Sequence, residues 1–554
     1  GRLNARRERD ARMRIGLPSF RPGTIPSPTH LYRPPDSMPL IPVLSPAQSK
    51  AWDDAAGRAG ISLATLMETA GRSVVAVMAR RYPERLRDGV VVAAGGGNNG
   101  GDGWVVARVL HQAGIPVWVA TLNGEQSPLQ REMAGLATSL GVRTLTADGP
   151  WPNIGLIVDA LLGTGARGAP RPPVAALVER MVDLRVPIVA VDGPTGLDLE
   201  AGLAYLPIRC DLSITFGGVR RGHLLAREEA GNIVVVDIGH PRPDAIWPIL
   251  MTDRMAADAH PPLHARDHKG DRGRVVVLGG NTGMTGAVRI AARSAFASGA
   301  GLVHVVAPLE TVDALVTAEP DIQTFTHALA LPISDALSGL IARSDAVVIG
   351  PGLGRQAGAG DFVLAVLEQS RHAVIDADAL TVLQGRTADL EKLARTRSFV
   401  LTPHPGEFRT LFPEQAPHLE SDPWSAAEAA SLEAQSTVLL KGVPTVVARA
   451  GHASLTISAG NPGLATGGSG DLLSGIVAAM LARGVEPEVA AGAGAQALGR
   501  AADLAARRSS ARSLRPMDVI TALPDLWRTW EIIGTVPPIV VPPILYELEL
   551  PQLY

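Results

Sequence analysis

Apolar residues in this chain follow two alternating rhythms: short continuous runs, and longer stretches with a period near 3.6. The periodic stretches predict helices over about 46–59, capped at Ser45-Pro46, and over 62–79. In the second, Leu63, Leu66, Met67, Ala70, Val74 and Val77 share one face. Apolar runs predict strands at 89–94, 116–121, 154–158, 187–191, 212–216 and 233–237, with a helix over about 104–113 between the first two. A second series begins at 274–278 and continues with strands at 302–307, 345–349, 373–376, 398–401 and 437–440. A helix over about 287–298 follows its first strand, and alanine-rich helices run from 471 to about 528. Strands alternating with helices build βαβ units, so the fold class is α/β with largely parallel sheets.

The rhythm breaks in three places. Residues 1–37 carry many Arg and Pro without apolar period and are expected to be a disordered extension. Residues 241–265 are Pro-rich and aperiodic, so a boundary falls there, and 531–554 take no assignment. The expected units are therefore 38–245 and 266–530, joined by a linker at 246–265.

Length agrees with this division, since 554 residues at about 100–200 per domain allow two to four domains. Hydrophobic residues at 46% and charged residues at 19% supply ample core material. Lys+Arg 51 against Asp+Glu 54 leaves a net charge of −3, which offers no electrostatic footprint for nucleic acid. The single cysteine, Cys210, excludes an intrachain disulfide and a cysteine zinc site and points to a reducing compartment, so a cytoplasmic location is expected. No apolar run reaches the roughly 20 residues of a membrane helix, and no membrane partner is expected.

Chemistry concentrates in glycine-bearing turns. In Asn461–Gly475 the glycines Gly467, Gly468 and Gly470 let the backbone approach a ligand, and the helix that follows offers free N–H groups to a phosphate. Asp471 enters that helix. A carboxylate would repel a phosphate, so it suits a base acting on a substrate hydroxyl; a helix-capping aspartate is the alternative. In the first half, Gly95–Gly103 includes Asn98, Asn99, Gly100, Gly101 and Asp102, a nest suited to phosphate or pyrophosphate. It lacks the G-x-G-x-x-G fingerprint with a later acidic residue, which disfavours hydride transfer. Two strands end in aspartates, Asp159 and Asp192. Asn99, Asp159 and the Thr195 hydroxyl could ligate a hard cation, and Asp192 is a candidate acid or base; capping of the next helix is the competing role. In the second half, His404 lies between two prolines ahead of Glu407, and Lys441 ends a strand before a Gly-Val-Pro-Thr turn. Each could be structural or solvated; Lys441 could instead meet a nucleotide phosphate as a point charge.

Taken together, the motifs resemble the bifunctional NAD(P)H-hydrate repair enzymes, an NAD(P)H-hydrate epimerase fused to an ADP-dependent dehydratase. The resemblance covers about residues 40–528. It rests on Leu66–Gly71, Gly97–Gly103, Asp159–Gly165 and Asp192–Asp198 in the first half. In the second it rests on His268–Gly270, Gly283–Ala287, Gly350–Gly354, Thr402–Glu407, Lys441–Thr445 and Asn461–Gly475. It implies an N-terminal Rossmann-like three-layer sandwich and a C-terminal ribokinase-like α/β domain. The first would epimerise R and S NAD(P)H-hydrate, with Asn98, Asn99, Gly100, Gly101, Asp102, Gly163, Thr164, Gly165, Ala166, Arg167, Gly168, Ala169 and Asp192 at the substrate. Asn99, Asp159 and Thr195 would hold potassium, Thr195 standing where the family often has serine. The second would use ADP, with Mg2+, to dehydrate the S form. Ala287, Gly352, His404 and Asp471 would face the hydrate, and Lys441, Gly442, Val443, Pro444, Thr445 and Gly470 the nucleotide. Leu464 and Ser469 replace methionines common in the family. A homo-oligomer is expected. A ribokinase-type kinase with an extra half and a non-catalytic dinucleotide-binding protein are the alternatives.

Overall fold

A computed structural model describes residues 40–206, 208–536 and 543–551, so the extension expected at 1–37 lies outside the described residues. The first half forms an eight-stranded sheet. Its order is Ile544–Leu548, Asn232–Val236, Leu212–Phe216, Ile188–Val191, Leu156–Ala160, Val90–Ala94, Val117–Thr121, Arg143–Thr146. All neighbours are parallel except Ile544–Leu548, which runs antiparallel to Asn232–Val236. A parallel sheet must be covered on both faces, and alternate residues serve the two sides. Val90, Val92, Leu156 and Val158 face helices Leu63–Arg81 and Asn98–Gln112, while Ala93 and Ile157 face Pro172–Asp183. The three-layer sandwich is as expected.

The second half is a ten-stranded sheet, parallel from Gln323–Thr326 through Leu302–Ala307, Arg274–Leu278, Ala346–Ile349, His372–Ile375 and Ser398–Leu401 to Thr437–Leu440. Thr445–Ala448 and Leu455–Ile457 then add antiparallel strands, and Ile249–Leu250 closes the edge in parallel. Helices Thr285–Ala297, Ser469–Ala482, Pro487–Arg508 and Pro516–Thr535 cover one face, and Ala359–Gln369 and Pro423–Ala434 the other.

Several expectations need correction. The helix expected at about 104 begins at Asn98, so the glycine-rich nest is the first turns of a helix rather than a loop. Glycine is a poor helix former, but here packing overrides propensity. A Cβ on Gly100 would overlap the Gly95 carbonyl, and one on Gly101 would lie 2.6 Å from the Met67 sulfur. The helix expected at 287–298 is Thr285–Ala297. Strands Arg143–Thr146 and Gln323–Thr326 have too little apolar content to be read, because they are partly exposed sheet edges.

The stretch expected as a linker contains strand Ile249–Leu250 and helix Asp253–Ala259. It is woven into both halves: Val43 N–H donates to the Pro248 carbonyl, and Ile249 N–H to that of Ser454. The tail without assignment supplies strand Ile544–Leu548, which returns from the second half to the edge of the first sheet. There Glu547 pairs with Arg81, and the Leu550 N–H reaches Asn232 Oδ1 at 2.8 Å. Ile41, Val43, Val235 and Leu548 share one buried cluster with Val347 and Ile375. The two halves thus have a continuous core.

One contact fixes the glycine loop of the second half. Helix Ser469–Ala482 lies so close to Thr285–Ala297 that a Cβ on Gly475 would overlap the Ser294 hydroxyl and the Ala291 carbonyl. Gly475→Ala is expected to destabilise the protein by about 1–3 kcal/mol through overpacking, read as a lower thermal unfolding midpoint. An unchanged midpoint would show that the helices can part freely.

Candidate active sites

The carboxyl ends of the first-half strands open into a cavity of about 1280 Å³. Asn98, Asn99 and Asp102 line it from the start of helix Asn98–Gln112, and the whole run from Gly163 to Ala169 lines it from the loop after Leu156–Ala160. Asp192 reaches it from the end of Ile188–Val191. Gly100 and Gly101 do not line it; they pack inward, against the Gly95 carbonyl and Met67.

Beneath the wall lies the candidate cation site. Asp159 is 1% exposed; its Oδ1 accepts from the Thr195 hydroxyl at 2.7 Å and its Oδ2 from the Thr195 N–H at 2.8 Å. Leu162 N–H in turn donates to Thr195 Oγ1 at 3.0 Å. Asn99 is buried, and among the described residues neither its Oδ1 nor its Nδ2 has a partner. A buried amide without a partner costs free energy. Its oxygen and those of Asp159 and Thr195 are hard donors, the chemistry a cation such as potassium needs.

Two carboxyls of the cavity differ in environment. Asp192 stands in the left-handed region at φ +54. Burial raises its pKa, while Arg220 at 2.9 Å and the Thr215 hydroxyl at 3.2 Å oppose the rise. Asp102 is raised well above the ordinary range by burial and then by the like charges of Asp192 and Asp53, and no donor among the described residues reaches it. Asp102 therefore keeps its proton to higher pH than the ion-paired Asp192. Sequence reading missed Asp53 and His240, which face each other across the cavity wall at 2.8 Å. They come from the first helix and from the start of the proline-rich stretch after the last parallel strand, so no spacing links them. His223 was missed too. Its Nδ1 accepts the Arg220 N–H at 3.3 Å, so its Nε2 carries the proton and donates to the Gly193 carbonyl at 2.9 Å.

In the second half the chemistry gathers at the start of helix Ser469–Ala482. Gly468, in the left-handed region at φ +94, is the N-cap and provides no side-chain cap. Asp471 is the third helical residue, which excludes the helix-cap alternative. Burial and the like charges of Asp376, Asp378 and Glu407 push its carboxyl up to about 7, against the pull of Lys441. Lys441 Nζ lies 3.2 Å from the position a Cβ on Gly470 would take, and 2.8 Å from Asp376 Oδ1. Lys441 N–H also donates to the Pro403 carbonyl at 2.9 Å, which ties the Gly442-Val443-Pro444-Thr445 turn to the His404 loop. Val443 projects from that turn 80% exposed. His404 caps helix Pro405–Leu411: its Nδ1 accepts from Gly406 and Glu407 N–H groups, and Glu407 Oε2 accepts the His404 N–H at 2.9 Å. Its Nε2 lies 3.4 Å from Glu407 Oε1. Ala287 and Gly352 meet each other, Ala287 Cβ lying 3.4 Å from a Cβ built on Gly352. Asp376 and Ser474 were missed, although Asp376 ends a strand just as Asp159 and Asp192 do.

Fold and sites together define a two-domain α/β enzyme that handles nucleotides at the carboxyl ends of two parallel sheets. Residues 63–222 match the family of YjeF-related protein N-termini, and residues 275–525 match the NAD(P)H-hydrate dehydratase family. The bifunctional NAD(P)H-hydrate repair enzyme Nnr of Escherichia coli is 37% identical over 486 residues, covering 85% of this chain and 90% of the relative. That of Moorella thermoacetica is 35% identical, covering 84% and 92%. An ADP/ATP-dependent NAD(P)H-hydrate dehydratase structure from Bacillus subtilis is 25% identical with a TM-score of 0.44, covering 50% of this chain and 98% of that one. The chain belongs to the bifunctional NAD(P)H-hydrate repair enzymes. It is a bifunctional NAD(P)H-hydrate repair enzyme whose first half is a YjeF-related N-terminal unit and whose second half is an NAD(P)H-hydrate dehydratase unit.

Burial lowers the His223 pKa from 6.5 to about 3, so the folded state holds it neutral where the unfolded chain takes up a proton. Its contribution to stability is complete above pH 6.5 and lost as pH falls toward 3. The unfolding midpoint is expected to drop over that window, and His223→Gln to flatten the drop; thermal unfolding at a series of pH values measures both.

Proposed function

We propose that residues 38–245 carry the epimerase and residues 266–530 the dehydratase. The hydrated dinucleotide would occupy the 1280 Å³ cavity, against Asn98, Asn99, Asp102, Asp192 and the loop 163–169. Asn99, Asp159 and Thr195 would hold potassium, which would supply a positive charge to the site of an anionic substrate. The unpartnered amide of Asn99 supports that assignment. Asp192 would be the catalytic acid/base; its carboxyl lines the cavity, is raised by burial and is held by Arg220 at 2.9 Å, which fixes it in place for proton transfer.

In the second half ADP would lie against Lys441, Gly442, Val443, Pro444, Thr445 and Gly470, with Mg2+ arriving on the nucleotide. The S-hydrate would lie between Ala287, Gly352, His404 and Asp471. Asp471 accepts the proton of the C6 hydroxyl. The oxygen takes the β-phosphoryl group, AMP departs, and the C6–O bond then breaks with phosphate as leaving group. Loss of the C5 proton completes NAD(P)H. The N–H groups of the first turn of helix Ser469–Ala482, which have no intrahelical acceptor, and Lys441 face the phosphate charge. The observation that carries this reading is the geometry of the helix start: Gly468 as N-cap, Asp471 in the first turn and Lys441 Nζ 3.2 Å from the position of a Cβ on Gly470. A cytoplasmic, homo-oligomeric enzyme acting on NAD(P)H-hydrate and ADP fits these features.

The deciding experiment follows S- and R-hydrate with ADP or ATP, with and without potassium. Asp471→Asn is expected to lower dehydration by about 10²-fold or more with ADP binding and epimerisation retained. Wild-type dehydration rates in that variant would remove Asp471 as the base. For the cation site, potassium is expected to raise the unfolding midpoint by binding the folded state. Asn99→Ala is expected to weaken that rise and to lower potassium affinity by about tenfold or more; a midpoint indifferent to potassium in the parent protein would reject the site.

A further inference from the structure

Asp376 lies outside every role assigned so far. It follows strand His372–Ile375 and is 1% exposed. Its Oδ1 accepts from Lys441 Nζ at 2.8 Å and its Oδ2 from the Ser474 hydroxyl at 2.7 Å. Ser474 belongs to the second turn of helix Ser469–Ala482, and Oδ2 lies 3.5 Å from the place a Cβ on Gly470 would occupy. The backbone is equally constrained, since a Cβ on Gly350 would overlap the Asp376 carbonyl. One buried carboxylate thus touches the lysine and the helix whose first turn opens the site.

We propose that Asp376 is a positioning residue for dehydration: it clamps the Lys441 ammonium beside Gly470 and anchors the helix through Ser474, giving the cation and the carboxylate of Asp471 fixed places. The inference rests on the reading of Asp471 as the base. An unpaired carboxylate in this position would be costly, and an unpaired lysine equally so; as a pair each holds the other ionised. Burial would raise the Asp376 pKa, but Lys441, Ser474 and Thr402 bring it below the ordinary range. Burial opposes the Lys441 charge, but Asp376 and Glu407 outweigh it. Asp471 consequently sits among Asp376 from the strand end, Asp378 from helix Asp378–Val382, Glu407 from helix Pro405–Leu411 and Lys441 from the end of Thr437–Leu440. Asp378 is itself paired with Arg355 at 2.8 Å, and Glu407 faces His404. Of the charges around Asp471, that of Asp376 acts on it most strongly, and it is the one clamped to Lys441.

The test is the pH profile of kcat/KM for dehydration of the S-hydrate with ADP in the full chain. In the parent protein the rate is expected to fall on the acid side through about pH 7, where Asp471 becomes protonated. Asp376→Asn removes a neighbouring negative charge and frees Lys441 to act on Asp471, so the acid limb is expected to move down by about one pH unit. The KM for ADP rises by about tenfold as Lys441 loses its clamp. An acid limb left in place, whatever the fall in the plateau, overturns the proposal and reduces Asp376 to a packing role. Should the asparagine variant not fold, Asp376→Ser removes the same charge with less volume and gives the same comparison. Asp471→Asn is measured alongside: residual dehydration that keeps the limb near pH 7 would show that another group titrates, which sinks the reading of Asp471 and this inference with it. Loss of the limb in that variant with no shift in the Asp376 variant sinks the inference alone.

Discussion

Burial of carboxylates at the ends of parallel strands is the constraint on which both sites depend. A parallel strand covered on both faces releases its chain at a sheet edge already shielded from water. Asp159, Asp192 and Asp376 all stand there and are all buried. Each must be hydrogen-bonded, ion-paired or protonated, because an isolated buried charge is too costly to persist. The three solutions differ: hydroxyl and backbone donors from Thr195 for Asp159, a guanidinium for Asp192, an ammonium and a serine hydroxyl for Asp376. Asp102 and Asp471, on helix starts facing the same edges, accept no hydrogen bond among the described residues, and burial together with neighbouring like charges raises the pKa of both, against the pull of Lys441 on Asp471.

Glycine makes the second part of the arrangement possible. Both sites lie at the start of a helix that carries glycines where side chains would overlap neighbouring backbone. Gly100 against Gly95 and Gly475 against Ala291 bring helix and sheet, or helix and helix, close enough to fix the active turn. The same closeness explains why the glycine-rich segment Asn98–Gly103 is helical: its weak propensity matters less than the packing it permits.

The two activities are not held by beads on a string. The stretch after the first sheet and the tail each pair with the opposite half, and Arg221 of the first half meets Asp422 of the second at 2.9 Å. A strand from beyond the dehydratase helices edges the epimerase sheet. The relative placement of the two sites is therefore set by paired backbone and a shared apolar cluster rather than by linker length.

Hydrophobic period and glycine turns alone determined the α/β class, the two series of βαβ units and the turns that carry Asp159, Asp192, Lys441 and Asp471, because these are local signals read within one window of chain. Strands with weak apolar content, the pairing of the tail and the weaving of 246–265 were decided only by tertiary structure: the weak strands are held by backbone pairing at a sheet edge rather than by their side chains, and the tail and 246–265 pair with partners hundreds of residues away. The same holds for chemistry. Sequence places Asp53 and His240 far apart and says nothing of Asp376 beneath Lys441; only the folded chain brings each pair within hydrogen-bonding distance, and burial then makes Asp376 depend on Lys441 to stay ionised.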